Sequence, residues 1–330
     1  MPSFLIIQTA FIGDVILATP VVEALHAEYP GASIDFLLRK GNEGLLHGHP
    51  YISHVHIWDK KNGKYGNMAK MIGTIRKVKF DVVINLHRFL NTGLVTVLSG
   101  AGETIGFKKN PLSVFFSKRI PHVIDISKGR THEIDRNLML IRHLVKDERI
   151  KPRLYPSQAD FARTTMAQPY ITISPTSVWF TKQYPPDHWV HFINLMDSST
   201  TVCLLGAPSD VLACESIQAK VNHRNVQVLA GKLSFLESAA LMKHARMNYA
   251  NDSAPLHMAS AMDAPVTAVF CSTIPAFGFG PLSSRSYILE TAEKLACRPC
   301  GIHGYRQCPK GHFNCANIDP GRLLTTLLPQ

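Results

Sequence analysis

The residues best suited to chemistry in this chain stand just after apolar runs, where a strand would end and a turn begin. Asp14, in Gly13-Asp14, follows the run Phe4-Leu5-Ile6-Ile7. A carboxylate there serves as a helix N-cap or as a general base toward a bound acceptor hydroxyl. Lys182 follows Tyr170-Ile171-Thr172-Ile173 in a loop rich in hydroxyls, Ser177 among them, and offers a compact positive charge to a diphosphate. The stretch Asn251-Asp252-Ser253-Ala254-Pro255-Leu256-His257 reads as a turn into a helix. Pro255 suits the first helical turn, Asp252 or Ser253 can cap, and the free N–H groups and dipole then favour an anion. An ordinary capped helix fits the same residues. Asp210, after Gly206-Ala207-Pro208-Ser209, can accept from a sugar or ribose hydroxyl or cap its own helix, and Asp187 can cap the helix containing Trp189.

The spacing Cys297-x2-Cys300-x7-Cys308-x6-Cys315, with His303 and His312 among them, is the sharpest local signal. Four thiolates so spaced suit one structural metal ion, zinc or iron, and spacing alone does not choose between the two. Free thiols are the plainer alternative. The basic residues Lys294, Arg298, Arg306 and Lys310 also admit a nucleic-acid-binding module. Cys203, Cys214 and Cys271 lie in apolar settings and read as buried free thiols.

The elements that must position these groups are legible as apolar runs. Strands are expected at Phe4–Ile7, Ile34–Leu38, Val55–Trp58 and Asp81–Leu86, each separated by enough chain for a crossover helix. After a Pro-punctuated polar stretch from Ile150 to Tyr170 the pattern restarts, at Tyr170–Ile173, Thr201–Leu205, Val226–Val228, Arg246–Ala250 and Val266–Phe270. The chain therefore reads as α/β, with two doubly wound domains, 1–158 and 159–330, facing a cleft beyond the carboxyl ends of their strands.

With 330 residues, 45% of them hydrophobic, the chain has material for two cores. Thirty-five Lys and Arg against 24 Asp and Glu give a formal charge of +11, which favours an anionic partner. The N-terminus lacks the basic start of a signal peptide and no apolar run is long enough to span a bilayer, so a cytoplasmic protein is expected. Basic residues flank the apolar patch in Lys108–Arg119, which suits either peripheral contact with the inner membrane or a loop tucked into the core.

Taken together, Gly13-Asp14 with Pro20, Lys182-Gln183-Tyr184-Pro185 with Trp189, Gly206-Ala207-Pro208 and Asn251 to His257 resemble the heptosyltransferase family of inverting glycosyltransferases. The resemblance spans nearly the whole chain. It implies a GT-B fold, with the acceptor on the N-terminal domain and the nucleotide sugar, ADP-heptose, on the C-terminal one. By that resemblance Asp14 is the catalytic base and Lys182 stabilises the departing diphosphate, with N–H groups near Ser253 and Ala254 and no catalytic metal. Gly13, Ser177, Asp210, Asp252, Ser253, Ala254, His257 and His132 are expected at the substrates, the last on a helix with Glu133 and Arg136. The acceptor would be a lipopolysaccharide core glycolipid or a protein. The cysteine tail is similar to a finger of the autotransporter-modifying branch, where the metal is iron. One departure stands out: the family commonly has Gly where this chain has Ala254, and the added methyl limits how closely a phosphate can approach. The competing readings are a sugar-nucleotide epimerase or hydrolase of the same architecture, and a non-enzymatic nucleic-acid-binding protein. The preferred reading expects no nucleic acid.

Overall fold

A computed structural model describes residues 1–124, 132–146 and 148–327. The described residues fall into two compact units, divided between Tyr155 and Pro156.

The first unit carries β1 (Ser3–Ile7), β2 (Ser33–Arg39), β3 (His54–Trp58), β4 (Val82–Asn85), β5 (Glu103–Phe107) and β6 (Lys118–Ile120). They form one parallel sheet in the order β3-β2-β1-β4-β5-β6. Continuous apolar runs such as Phe4–Ile7 are buried on both faces, as a parallel sheet covered by helices requires. Trp58, Ile75, Phe80 and Val95 pack with Leu5, Ile7, Leu37 and Val83 as the core of one face.

The second unit repeats the plan with β7 (Tyr170–Ser174), β8 (Thr201–Leu204), β9 (Val226–Val228), β10 (Asn248–Asn251), β11 (Val266–Phe270) and β12 (Ser286–Glu290). Their parallel order is β12-β11-β10-β7-β8-β9, the same winding traced from the other edge. Trp189, Phe192, Tyr184 and Tyr249 fill its core, and Cys315, Ala316 and Ile318 of the cysteine tail join that core.

In each unit the strand order reverses between the first and fourth strands, β1 and β4 or β7 and β10. Loops leaving those two carboxyl ends diverge and leave room for a ligand. Asp14 and Arg88 follow the first such pair, Lys182 and Asp252 the second.

The segment after β5 is not one apolar patch. Phe116 is buried, and its ring lies where a side chain on Gly106 would stand, while Val114 and Phe115 are exposed. No helix among the described residues is long and apolar enough to cross a membrane.

Candidate active site

In the first unit the chemistry gathers around Asp14. The chain leaves β1 and turns at once into the short helix Ile12–Ile16, so Asp14 is the third helical residue and not the N-cap the sequence suggested. Its Oδ2 accepts from the Phe11 N–H at 3.1 Å, capping from inside the helix. Gly13 stands beside it in the same turn. Burial and the negative charge of Glu133 push the Asp14 carboxyl up to about 6, against the Phe11 N–H and the Arg88 guanidinium, which pull it down. Such a carboxylate is still ionised at neutral pH yet far more basic than an exposed one.

Glu133 is itself part of a buried charged group. Its Oε2 lies 2.6 Å from Arg136 Nε and 3.4 Å from His122 Nε2. Burial alone would raise the Glu133 carboxyl, but His122 and Arg136 outweigh it and hold the group below the usual range. Arg88, after β4, donates to the His122 ring at 3.1 Å. His132 caps the helix Glu133–Met139, its Nδ1 accepting from the Ile134 N–H at 3.3 Å, so its ring serves the helix that carries Glu133. Arg88 and His122 give no signal in the sequence, because only the fold brings residues 34 positions apart into contact.

In the second unit Lys182 and Asp252 meet. Lys182 Nζ lies 2.7 Å from Asp252 Oδ2, and the Thr273 hydroxyl donates to the same oxygen at 2.6 Å. Asp252 takes one of the three ammonium protons and so aims the rest of the group. Asn251 ties the two loops together: its Oδ1 accepts from the Tyr184 N–H at 2.9 Å and its Nδ2 donates to the Pro175 carbonyl at 2.9 Å. The helix Ala254–Ala261 begins just beyond, with Pro255 in its first turn. Ser253 holds the N-cap position without capping; its hydroxyl points back to the Asn251 carbonyl at 3.4 Å, and Asp252 is spent on Lys182. The first N–H groups of the helix thus have no side-chain cap, which leaves them for an anion. His257 is buried one turn along.

Other expected residues are placed more locally. Ser177 offers its carbonyl to Gln183 Nε2 at 2.7 Å, which braces the Lys182 loop. Asp210 accepts from the Ala207 N–H at 2.7 Å and folds back over Gly206, closing its own turn. Asp187 caps nothing: the helix Pro186–Asn194 has Pro185 at its N-cap, and Asp187 pairs on the surface with Lys220 at 3.0 Å.

The four tail cysteines are free thiols in one neighbourhood: Cys300, Cys308 and Cys297 all act on Cys315, which burial and those neighbours push up to about 11. Among the described residues no three His, Cys, Asp or Glu side chains are arranged as a metal centre. Cys297 Sγ lies 3.8 Å from His312 Nε2. Cys308 is different. Burial raises its thiol, but the backbone N–H groups of Phe313, Lys310, Gly311 and His312 together outweigh that effect and hold the thiol below its ordinary range. Surroundings that favour the charged form of the sulfur suit a thiolate ligand. Cys203, Cys214 and Cys271 are buried as expected.

Residues 68–303 match glycosyltransferase family 9 (heptosyltransferase). The chain belongs to that family. The match includes Lys182 and Asp252 and stops short of Asp14, Cys308 and Cys315. This heptosyltransferase-family enzyme is 28% identical over 279 residues to lipopolysaccharide heptosyltransferase 3 of Escherichia coli, spanning 80% of this chain and 82% of that one. Its fold is of the GT-B type and superposes on E. coli ADP-heptose lps heptosyltransferase II with a TM-score of 0.82, 20% identity and coverage of 99% and 97%. It also superposes on the iron-containing dodecameric glycosyltransferase TibC of enterotoxigenic E. coli H10407, with a TM-score of 0.62, 15% identity and coverage of 99% and 75%. At those identities the superpositions speak to the fold. Membership in a transferase family displaces the non-enzymatic reading of the cysteine module.

Proposed function

We propose that this enzyme transfers heptose from ADP-heptose to a hydroxyl of an anionic lipopolysaccharide-core acceptor, with inversion at the anomeric carbon. The observation that carries the reading is the Lys182–Asp252 pair at the uncapped start of the helix Ala254–Ala261, a cation and a dipole where a diphosphate would leave. The names of the relatives support the donor and the acceptor class, and the +11 charge suits a phosphorylated acceptor.

In this reading the first unit takes the acceptor and the second the nucleotide sugar. Asp14 removes the proton of the attacking hydroxyl as its oxygen bonds to the anomeric carbon, on the face opposite the diphosphate. The bond to the diphosphate oxygen breaks, and Lys182 with the helix N–H groups receives the charge. No catalytic metal is assigned. Val114 and Phe115, exposed beside Lys108, Lys109 and Arg119, are the residues that would rest on a membrane carrying the acceptor. The test is acceptor-dependent release of ADP from ADP-heptose. Release that needs a heptose-deficient lipopolysaccharide is the expected result, and conversion of the donor to an isomer without acceptor would instead make the enzyme an epimerase.

Cys297, Cys300, Cys308 and Cys315 would hold one iron or zinc ion, which would supply structural cross-linking of the tail. The support for this assignment is the crowding of the tail thiols, with Cys300 Sγ 3.2 Å from the Cys297 carbonyl and Cys297 Sγ 3.8 Å from His312 Nε2. Protein purified without added metal should carry close to one equivalent, reduced in Cys308→Ser; less than about a tenth of an equivalent would refute the site.

A further inference from the structure

The cysteine module touches the chemistry at one point. Gly304 stands between Cys300 and Cys308, at φ +74°, and a Cβ there would lie 2.9 Å from Thr181 Oγ1, 3.2 Å from Lys182 Cγ and 3.3 Å from Ser272 Oγ. Only glycine allows both this backbone conformation and this approach to the lysine stem. The next residue seals the contact. The Thr181 N–H donates to the Tyr305 carbonyl at 3.1 Å, and the Tyr305 N–H donates to Thr181 Oγ1 at 2.8 Å.

The module also grips the other half of the pair. The Cys300 N–H donates to the Ser272 carbonyl at 2.8 Å, and the Ser272 hydroxyl donates to Thr181 Oγ1 at 3.0 Å. Arg298 donates to the carbonyls of Cys271, at 2.6 Å, and Thr273, at 2.7 Å. Thr273 is the residue whose hydroxyl holds Asp252. Lys182 and Asp252 are thus both held from behind by the tail that carries the cysteines. A lysine has four rotatable side-chain bonds, and fixing them beforehand removes an entropic cost from ligand binding.

We propose that Thr181 and Gly304 are positioning residues, through which the cysteine module fixes Lys182 for the diphosphate of a nucleotide. The inference rests on Lys182 as the diphosphate ligand. It makes donor affinity a property of the tail.

Calorimetric titration with ADP of the full chain, Thr181→Val, Lys182→Ala and the double variant tests it. Thr181→Val should weaken ADP about tenfold, a coupling of ordinary size for neighbours in one network. Thr181→Ser, which keeps the hydroxyl, should restore binding to within about threefold of wild type. In the Lys182→Ala background Thr181→Val should add less than about twofold, because there is no ammonium left to position. Near-ultraviolet circular dichroism checks that each variant is folded, and if Thr181→Val is not, Gly304→Ala replaces it in the same cycle. Wild-type ADP binding by the positioning variant, or a loss that persists undiminished without Lys182, overturns the inference while leaving the role of Lys182 intact. Unchanged ADP binding in Lys182→Ala removes that role and the inference with it.

Discussion

Asp14→Asn should lower kcat by roughly 10²–10⁴-fold, the range for loss of a general base, and leave ADP affinity unchanged. Asparagine keeps the volume, and its Oδ1 can still accept from the Phe11 N–H that Asp14 binds at 3.1 Å, so the helix Ile12–Ile16 keeps its inner cap. The pH dependence follows from the same environment. A base must be unprotonated, and burial with Glu133 raises the Asp14 carboxyl to about 6. The rate should therefore be full above that value and fall about tenfold per pH unit below it. Glu133→Gln removes a charge that raises Asp14, so the acid limb should move to lower pH. Near wild-type turnover in folded Asp14→Asn would remove the base assignment.

Lys182→Ala should weaken ADP by about thirtyfold or more, the usual cost of truncating one partner of a buried charge pair. Two effects add in the same direction. The diphosphate loses a cation, and Asp252, only 5% exposed, is left facing it without its ammonium partner at 2.7 Å. Because the diphosphate gains charge as the sugar leaves, kcat should fall as well as affinity. Lys182→Arg should not restore function, since a longer, planar guanidinium cannot place its charge where the compact ammonium sits 2.7 Å from Asp252. Equal ADP affinities for wild type and Lys182→Ala, measured by calorimetry, would contradict the assignment.

How much of this could be read from the sequence depended on whether the signal was local. Apolar runs such as Phe4–Ile7 and Val266–Phe270 announce buried parallel strands because both faces are covered. Three strands escaped. Glu103–Phe107 contains Gly106, where a neighbouring ring replaces the missing side chain, and Lys118–Ile120 and Ser286–Glu290 are sheet edges with exposed residues. Asp14, Lys182 and Asp252 were legible as strand-end residues, and the cysteines by spacing. Their partners were not. Thr181 meets Tyr305 across 124 positions and Asp252 meets Thr273 across 21, distances over which no periodicity operates. Capping also misled, because Asp14, Ser253 and Asp187 are all of cap-forming type, yet none caps from the N-cap position. At two of them the capping rule fails beside the proposed chemistry, Asp14 being held for a proton and the helix at Ser253 left open for an anion.

The most direct measurement is the anomeric configuration of the sugar after transfer, read by nuclear magnetic resonance on the product formed from ADP-heptose and a heptose-deficient lipopolysaccharide. The account predicts a single product whose anomeric configuration is opposite to that of the donor, because Asp14 activates a hydroxyl that attacks opposite the diphosphate held by Lys182. A product that retains the donor configuration would contradict it.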